Sequence, residues 1–106
     1  MSINVTARDF DELVLRAEKP VLLDVWAPWC PHCRRIGPAF EQVGEQHGDR
    51  LTAAMLNYDE ARELADRYGV DTLPTLLLFS GGQVVDALVA PATKAAIEEF
   101  VRRALP

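Results

Sequence analysis

Asp24-Val25-Trp26-Ala27-Pro28-Trp29-Cys30-Pro31-His32-Cys33 carries fold and chemistry together. The apolar run from Val21 to Trp26 ends in a Cys-x-x-Cys and passes straight into a helical pattern. These are the only 2 cysteines among 106 residues. A strand that delivers a Cys-x-x-Cys to a helix N-terminus supplies a reactive thiol, a second thiol within reach and a helix end that favours thiolate. Thiol–disulfide exchange requires that arrangement. Cys30 falls at the N-cap and Pro31 at the first helical position, where its missing N–H costs nothing. The Cys30 sulfur then faces free backbone N–H groups and the positive end of the helix dipole, so it is the expected nucleophile. Cys33 lies one turn further in, on the face of Ile36 and Phe40. It is expected to be buried, to stay a thiol and to resolve the mixed disulfide. An inert pair of core cysteines would not sit at a helix cap. Zinc needs four ligands, and only His32 and His47 are available to join the cysteines. His32 lies between them and His47 at the far end of the same helix, so no metal is expected. A cluster bridged between two subunits is the arrangement left open.

Composition narrows the function classes. A chain of 106 residues is expected to form one domain, residues 1–106, with a sizeable core. The formal net charge of −5 argues against nucleic acid or an anionic membrane as the main partner. No segment is long and apolar enough to span a bilayer. Met1-Ser2-Ile3-Asn4-Val5 lacks a basic stretch followed by an apolar one, so no leader and a cytoplasmic location are expected. In that compartment a lone cysteine pair is redox-active or metal-binding more often than structural.

Periodicity gives the order of elements. Ile3 to Val5 reads as a strand. Thr6, with Asp9 three residues on, caps a helix carrying Phe10, Leu13, Val14 and Ala17. Val21 to Ala27 is apolar at nearly every position, as in a strand buried on both faces. A helix runs from Pro31 to about Gln46 with Cys33, Ile36, Phe40 and Val43 inward, and Pro38 is expected to kink it. Leu51 to Asn57 is a strand, and Glu60 to Tyr68 a short helix stopped by Gly69. Thr75 to Phe79 and Gln83 to Val89 flank Ser80-Gly81-Gly82, a hairpin signal. Thr93 caps a last helix with Ile97, Phe100, Val101 and Ala104 on its apolar face.

This β-α-β-α-β-α-β-β-α order, with Cys-x-x-Cys after the second strand, resembles the thioredoxin family over nearly the whole chain. Asp24 to Cys30 is similar to that family's active-site approach, and Leu73-Pro74-Thr75-Leu76 to its cis-proline loop. Ser80-Gly81-Gly82 matches its hairpin turn and Pro38 its helix proline. The resemblance implies an α/β fold with a mixed five-stranded sheet flanked by four helices. It implies a protein-disulfide reductase in which Cys30 attacks, Cys33 resolves and a buried Asp24 moves the proton. It also implies a cis Pro74 beside which an extended substrate peptide pairs. The expected partners are disulfide-containing proteins and a thioredoxin reductase or dedicated dithiol donor; the protein is expected to be a monomer without cofactor. A more oxidising oxidase or isomerase, and a non-catalytic binding module, are the alternatives. Intact cysteines and Asp24 speak against the last.

Asp24 is costly on a strand that otherwise reads as buried, unless it works or is paired. Its bland alternative is a partly exposed residue at a strand end. Pro31-His32 replaces the Gly-Pro of ordinary thioredoxins and matches the dipeptide of the strongly oxidising bacterial oxidase DsbA. An imidazole at the second helical position can donate to or charge-pair with the Cys30 thiolate, stabilising the reduced state. The alternative is a solvated first-turn side chain. Met55 stands where many thioredoxins carry a lysine near the buried acid, and losing that cation leaves Asp24 easier to keep protonated. Trp29 is expected as a docking ring beside Cys30 and Trp26 as core beneath it. Leu73, Pro74, Tyr58, Ala90 and Pro91 complete the expected docking surface. Ala90-Pro91 and Tyr58 depart from the family's pattern, which weakens the expected fit to an ordinary thioredoxin reductase.

Overall fold

The computed structural model describes residues 2–105. Its strands are β1 (Ile3–Val5), β2 (Val21–Trp26), β3 (Thr52–Asn57), β4 (Thr75–Ser80) and β5 (Gln83–Val89). Its α-helices are α1 (Pro31–Gln46), α2 (Arg62–Arg67) and α3 (Lys94–Ala104). The sheet order is β1-β3-β2-β4-β5, so the strand that leads to the cysteines is central. β1, β3 and β2 run parallel, and β4 runs antiparallel to both of its neighbours, β2 and β5. The family-like mixed five-stranded sheet expected from sequence is therefore present.

Both faces of β2 are covered, which explains its near-continuous apolar run. Val21, Leu23 and Val25 pack with Phe10, Val14, Leu64 and Phe79 on one face. Leu22 packs with Ile36, Phe40, Ile97 and Phe100 of α1 and α3 on the other. Asp24 and Trp26 share the alternation of Leu22 and so belong to the α1 side. The hairpin turn follows the sequence signal: Gly81 and Gly82 adopt φ of 61° and 82°. Thr93 caps α3 through a bond from Ala96 N at 3.1 Å.

Two of the expected helices differ. The segment after β1 is a single π turn, Asp11–Leu15, rather than a regular helix. Thr6 and Asp9 do exchange the expected capping bonds, at 2.7 and 3.4 Å. Arg16 N then reaches back five residues to Asp11 O at 2.9 Å. The widened turn sends both Phe10 and Val14 into the core, and Pro20 forecloses continuation. The helix expected over Glu60 to Tyr68 shrinks to Arg62–Arg67 behind a 3-10 turn, Tyr58–Glu60. Buried Ala61, with φ −147°, separates the two. Helix α1 continues through Pro38 to Gln46.

Helix α1 rests on the sheet through a close approach at Gly44, where a Cβ would stand 2.6 Å from Ala53 Cβ. At Gly37, in the same helix, a Cβ would meet nothing within 4 Å. Gly37→Ala should therefore stabilise the fold by at most about 0.5–1 kcal/mol through helix propensity, less what its Cβ loses against the adjacent Pro38 ring. Gly44→Ala should cost about 1–3 kcal/mol, because α1 must lift from β3. Denaturant unfolding of the two variants checks the opposite signs.

Candidate active site

Strand β2 ends at Trp26, and Ala27 turns the chain by accepting Cys30 N at 3.1 Å. That turn sets Cys30 as the N-cap of α1 with Pro31 at its first position. Cys33 N donates to Cys30 Sγ at 3.2 Å, so the sulfur takes the place a serine or aspartate oxygen holds in other helices. Cys30 and Cys33 are free thiols, 6% and 4% exposed, packed with Ala27, Trp26 and Leu73. Cys30 Sγ also donates to Leu73 O at a long 3.8 Å. Burial pushes the Cys33 thiol well up, and the Cys30 contact and the charge on Asp24 add to the effect. Cys33 thus holds its proton at neutral pH.

Asp24 is wholly buried, and neither carboxyl oxygen has a hydrogen-bond partner among the described residues. Burial, then the charge of Glu41, raises its pKa from 3.8 to about 7. Met55 is its register partner on β3 and supplies no cation. Met55 also lines a cleft of 280 Å³ with Trp26, Asn4 and Asn57. The contribution of Glu41 was missed from sequence, although it lies eight residues after Cys33, close to the same helix face. Ser2 donates to the Glu41 carboxylate through its backbone N, at 2.8 Å, and its hydroxyl.

The expected docking residues are placed as follows. The Leu73–Pro74 peptide bond is cis. Trp29 is 62% exposed, with Nε1 donating to Asp59 Oδ2 at 2.8 Å. Tyr58 packs against the Val5–Leu56 side of the sheet, beneath Arg62, rather than in the cysteine cluster. Ala90 N donates to Pro74 O at 2.8 Å, joining the loop after β5 to the cis-proline loop. Ala90 has φ 48°, the only positive φ outside glycine among the described residues. That conformation costs an L-residue roughly 1–2 kcal/mol. His32 Nε2 lies 2.9 Å from Pro91 O, so its ring nitrogen is committed to that carbonyl rather than to the Cys30 sulfur. Sequence gave no signal for this bond.

The sequence profile of the family described as Thioredoxin matches residues 1–103. A thioredoxin of Streptomyces clavuligerus is 45% identical over 94 residues, 89% of this chain and 87% of that protein. A thioredoxin of Synechocystis is 38% identical over 101 residues, 95% of this chain and 94% of that protein. A chloroplastic M-type thioredoxin of Pisum sativum is 36% identical over 99 residues, 93% of this chain and 58% of that protein.

The Asp24 carboxyl ties stability to pH with an unusual sign. Its folded value lies above its unfolded one, so between about pH 4 and 7 the unfolded chain is ionised while the folded one keeps its proton. Stability attributable to Asp24 is whole below about pH 4 and is lost as pH rises toward 7. The loss reaches about 4 kcal/mol. Asp24→Asn should therefore stabilise the protein by a few kcal/mol at pH 8 and by little at pH 4, as read by urea midpoints at both values.

Proposed function

The chain belongs to the thioredoxin family and is a thiol–disulfide oxidoreductase, and we propose that it reduces protein disulfides through Cys30, Cys33 and Asp24. The observation that carries the reading is the Cys30 sulfur at the cap of α1, with Cys33 N–H donating to it at 3.2 Å. The Cys30 thiolate attacks one sulfur of a substrate disulfide. The S–S bond breaks, a mixed disulfide forms on Cys30, and the departing thiolate takes a proton. Asp24, with a pKa of about 7, accepts the proton of Cys33. The Cys33 thiolate then attacks Cys30 Sγ, closing the Cys30–Cys33 disulfide and releasing the second substrate thiol. Two electrons pass to the substrate, and an external dithiol donor, a thioredoxin reductase or a dedicated protein, returns them. Trp29, Leu73, Pro74, Ala90 and Pro91 form the docking surface in this reading, with Tyr58 at its margin. The protein works as a cytoplasmic monomer without cofactor.

Pro31 and His32 set how strongly the protein oxidises. A positive charge at the second helical position favours the thiolate and hence the reduced state. The potential should lie near about −200 mV, between the roughly −270 mV of thioredoxin and −120 mV of DsbA.

Cysteine variants and a redox equilibration test this reading. Cys30→Ser should abolish insulin reduction, and Cys33→Ser should accumulate mixed disulfides on Cys30; alkylation landing first on Cys33 would reverse the two roles. Replacing Pro31-His32 by Gly-Pro should make the potential more negative by tens of millivolts, as read by glutathione equilibration. An unmoved potential would show that Pro31-His32 does not control the redox balance.

A further inference from the structure

We propose that His32 is a positioning residue for protein substrates, latching the first turn of α1 to the Ala90-Pro91 turn and so fixing the Leu73-Pro74 edge beside the reactive sulfur. The proposal rests on the protein-disulfide reductase reading above. His32 Nε2 lies 2.9 Å from Pro91 O. A carbonyl oxygen only accepts, so Nε2 carries the proton, in the neutral ring as in the cation. Ala90 N donates to Pro74 O at 2.8 Å. Cys30 Sγ contacts Leu73 O at 3.8 Å. Cys30, His32, Pro91, Ala90, Pro74 and Leu73 thus close a ring of contacts, with the reactive sulfur on one side and the cis-proline loop on the other.

Ala90 marks where the ring is under load. At φ 48° it holds a conformation that glycine adopts freely and alanine does not. Such a residue persists only where its surroundings over-determine it. The bonds from His32 to Pro91 O and from Ala90 N to Pro74 O are those surroundings, one on each side of the turn. Without the imidazole, Pro91 loses its anchor to α1 and the turn relaxes. The sulfur keeps its place, because the Cys33 N–H that holds it at 3.2 Å does not depend on His32, and its 3.8 Å contact with Leu73 O is the weaker of its two bonds. The loss of this bond between His32 and Pro91 therefore falls on the docking of a polypeptide across Pro74 and the exposed Val89, separately from any effect of the ring on the exchange chemistry.

The test is steady-state insulin reduction by the wild type and by His32→Ala, His32→Asn and His32→Gln. Glutamine carries an amide N–H at the same reach from Cβ as Nε2, without the titratable charge; asparagine is one bond shorter. KM for insulin should rise about tenfold in His32→Ala and His32→Asn and return to within about twofold of wild type in His32→Gln, while kcat should agree within about twofold among the three variants, since each lacks the imidazole. The glutamine–asparagine pair decides the matter even where alanine fails to fold, since the two side chains differ in reach alone. The reduction potential reads the lost charge separately, because His32→Gln removes it while keeping the bond. A KM indifferent to residue 32, or one that glutamine does not restore, would overturn the latch. A wild type unable to reduce insulin would overturn the reductase reading and the latch together.

Discussion

The bond from Cys33 N–H to Cys30 Sγ is the constraint on which the site depends. It makes a sulfur the N-cap of α1, and the cap exists only because β2 ends beneath it and Ala27 turns the chain by its carbonyl. A neutral thiol is a weak acceptor, whereas a thiolate makes a charge-assisted bond about twice as strong as a neutral one and also meets the helix dipole. The helix is therefore better capped when Cys30 is ionised. In the proposed reaction structure and reactivity are the same interaction: what completes the helix end also presents the nucleophile. Cys33, three residues on and buried, receives none of that benefit, and burial holds its proton on; in the proposed reaction it gives that proton up once the mixed disulfide forms.

In the proposed reaction that second proton is why Asp24 is tolerated. A domain of this size has about 5–15 kcal/mol of net stability, and an acid held at about 7 within the central strand forfeits about 4 of it above neutrality. The loss is tied to function through location. Asp24 shares the face of β2 that packs against α1, and its charge is felt at Cys33. Met55 opposite and Glu41 above both withhold the cation that would relieve it. An acid poised near neutral pH can both take and return a proton, whereas one at its ordinary value would be a poor acceptor.

Much of this was legible in the sequence where one local rule governed. The continuous apolar run of β2, the Cys-Pro start of α1, the Gly81-Gly82 turn and the Thr93 cap each follow from a single physical preference, and each is found. So is the buried acid: the bland alternative of a partly exposed strand end fails, because Asp24 is wholly buried. The rest failed for identifiable reasons. Phe10 and Val14 are as compatible with one π turn as with a helix, since only spacing was read and not the hydrogen bond from Arg16 to Asp11. Ala61 carries no breaker signal, yet its burial interrupts the expected helix. The His32 to Pro91 bond joins residues 59 apart through a backbone carbonyl, which no side-chain pattern encodes.

The two halves of the site consequently obey different rules. The sulfurs and Asp24 are positioned by β2 and α1, elements buried on the sheet and fixed by packing. The surrounding surface comes from three separated segments, at Trp29, Leu73-Pro74 and Ala90-Pro91, held together by a few backbone and side-chain bonds. In the proposed reading a change in the second set alters what can dock while leaving the Cys30 cap, because the cap rests on the Cys33 N–H and the only link from that set to the sulfur is the long 3.8 Å contact with Leu73 O. That separation is consistent with this chain's departures from ordinary thioredoxins. His32, Tyr58, Ala90 and Pro91 all lie on the loops and the first helical turn. Met55, the one departure within the sheet, changes the charge around Asp24 and leaves the pairing of β2 with β3 intact.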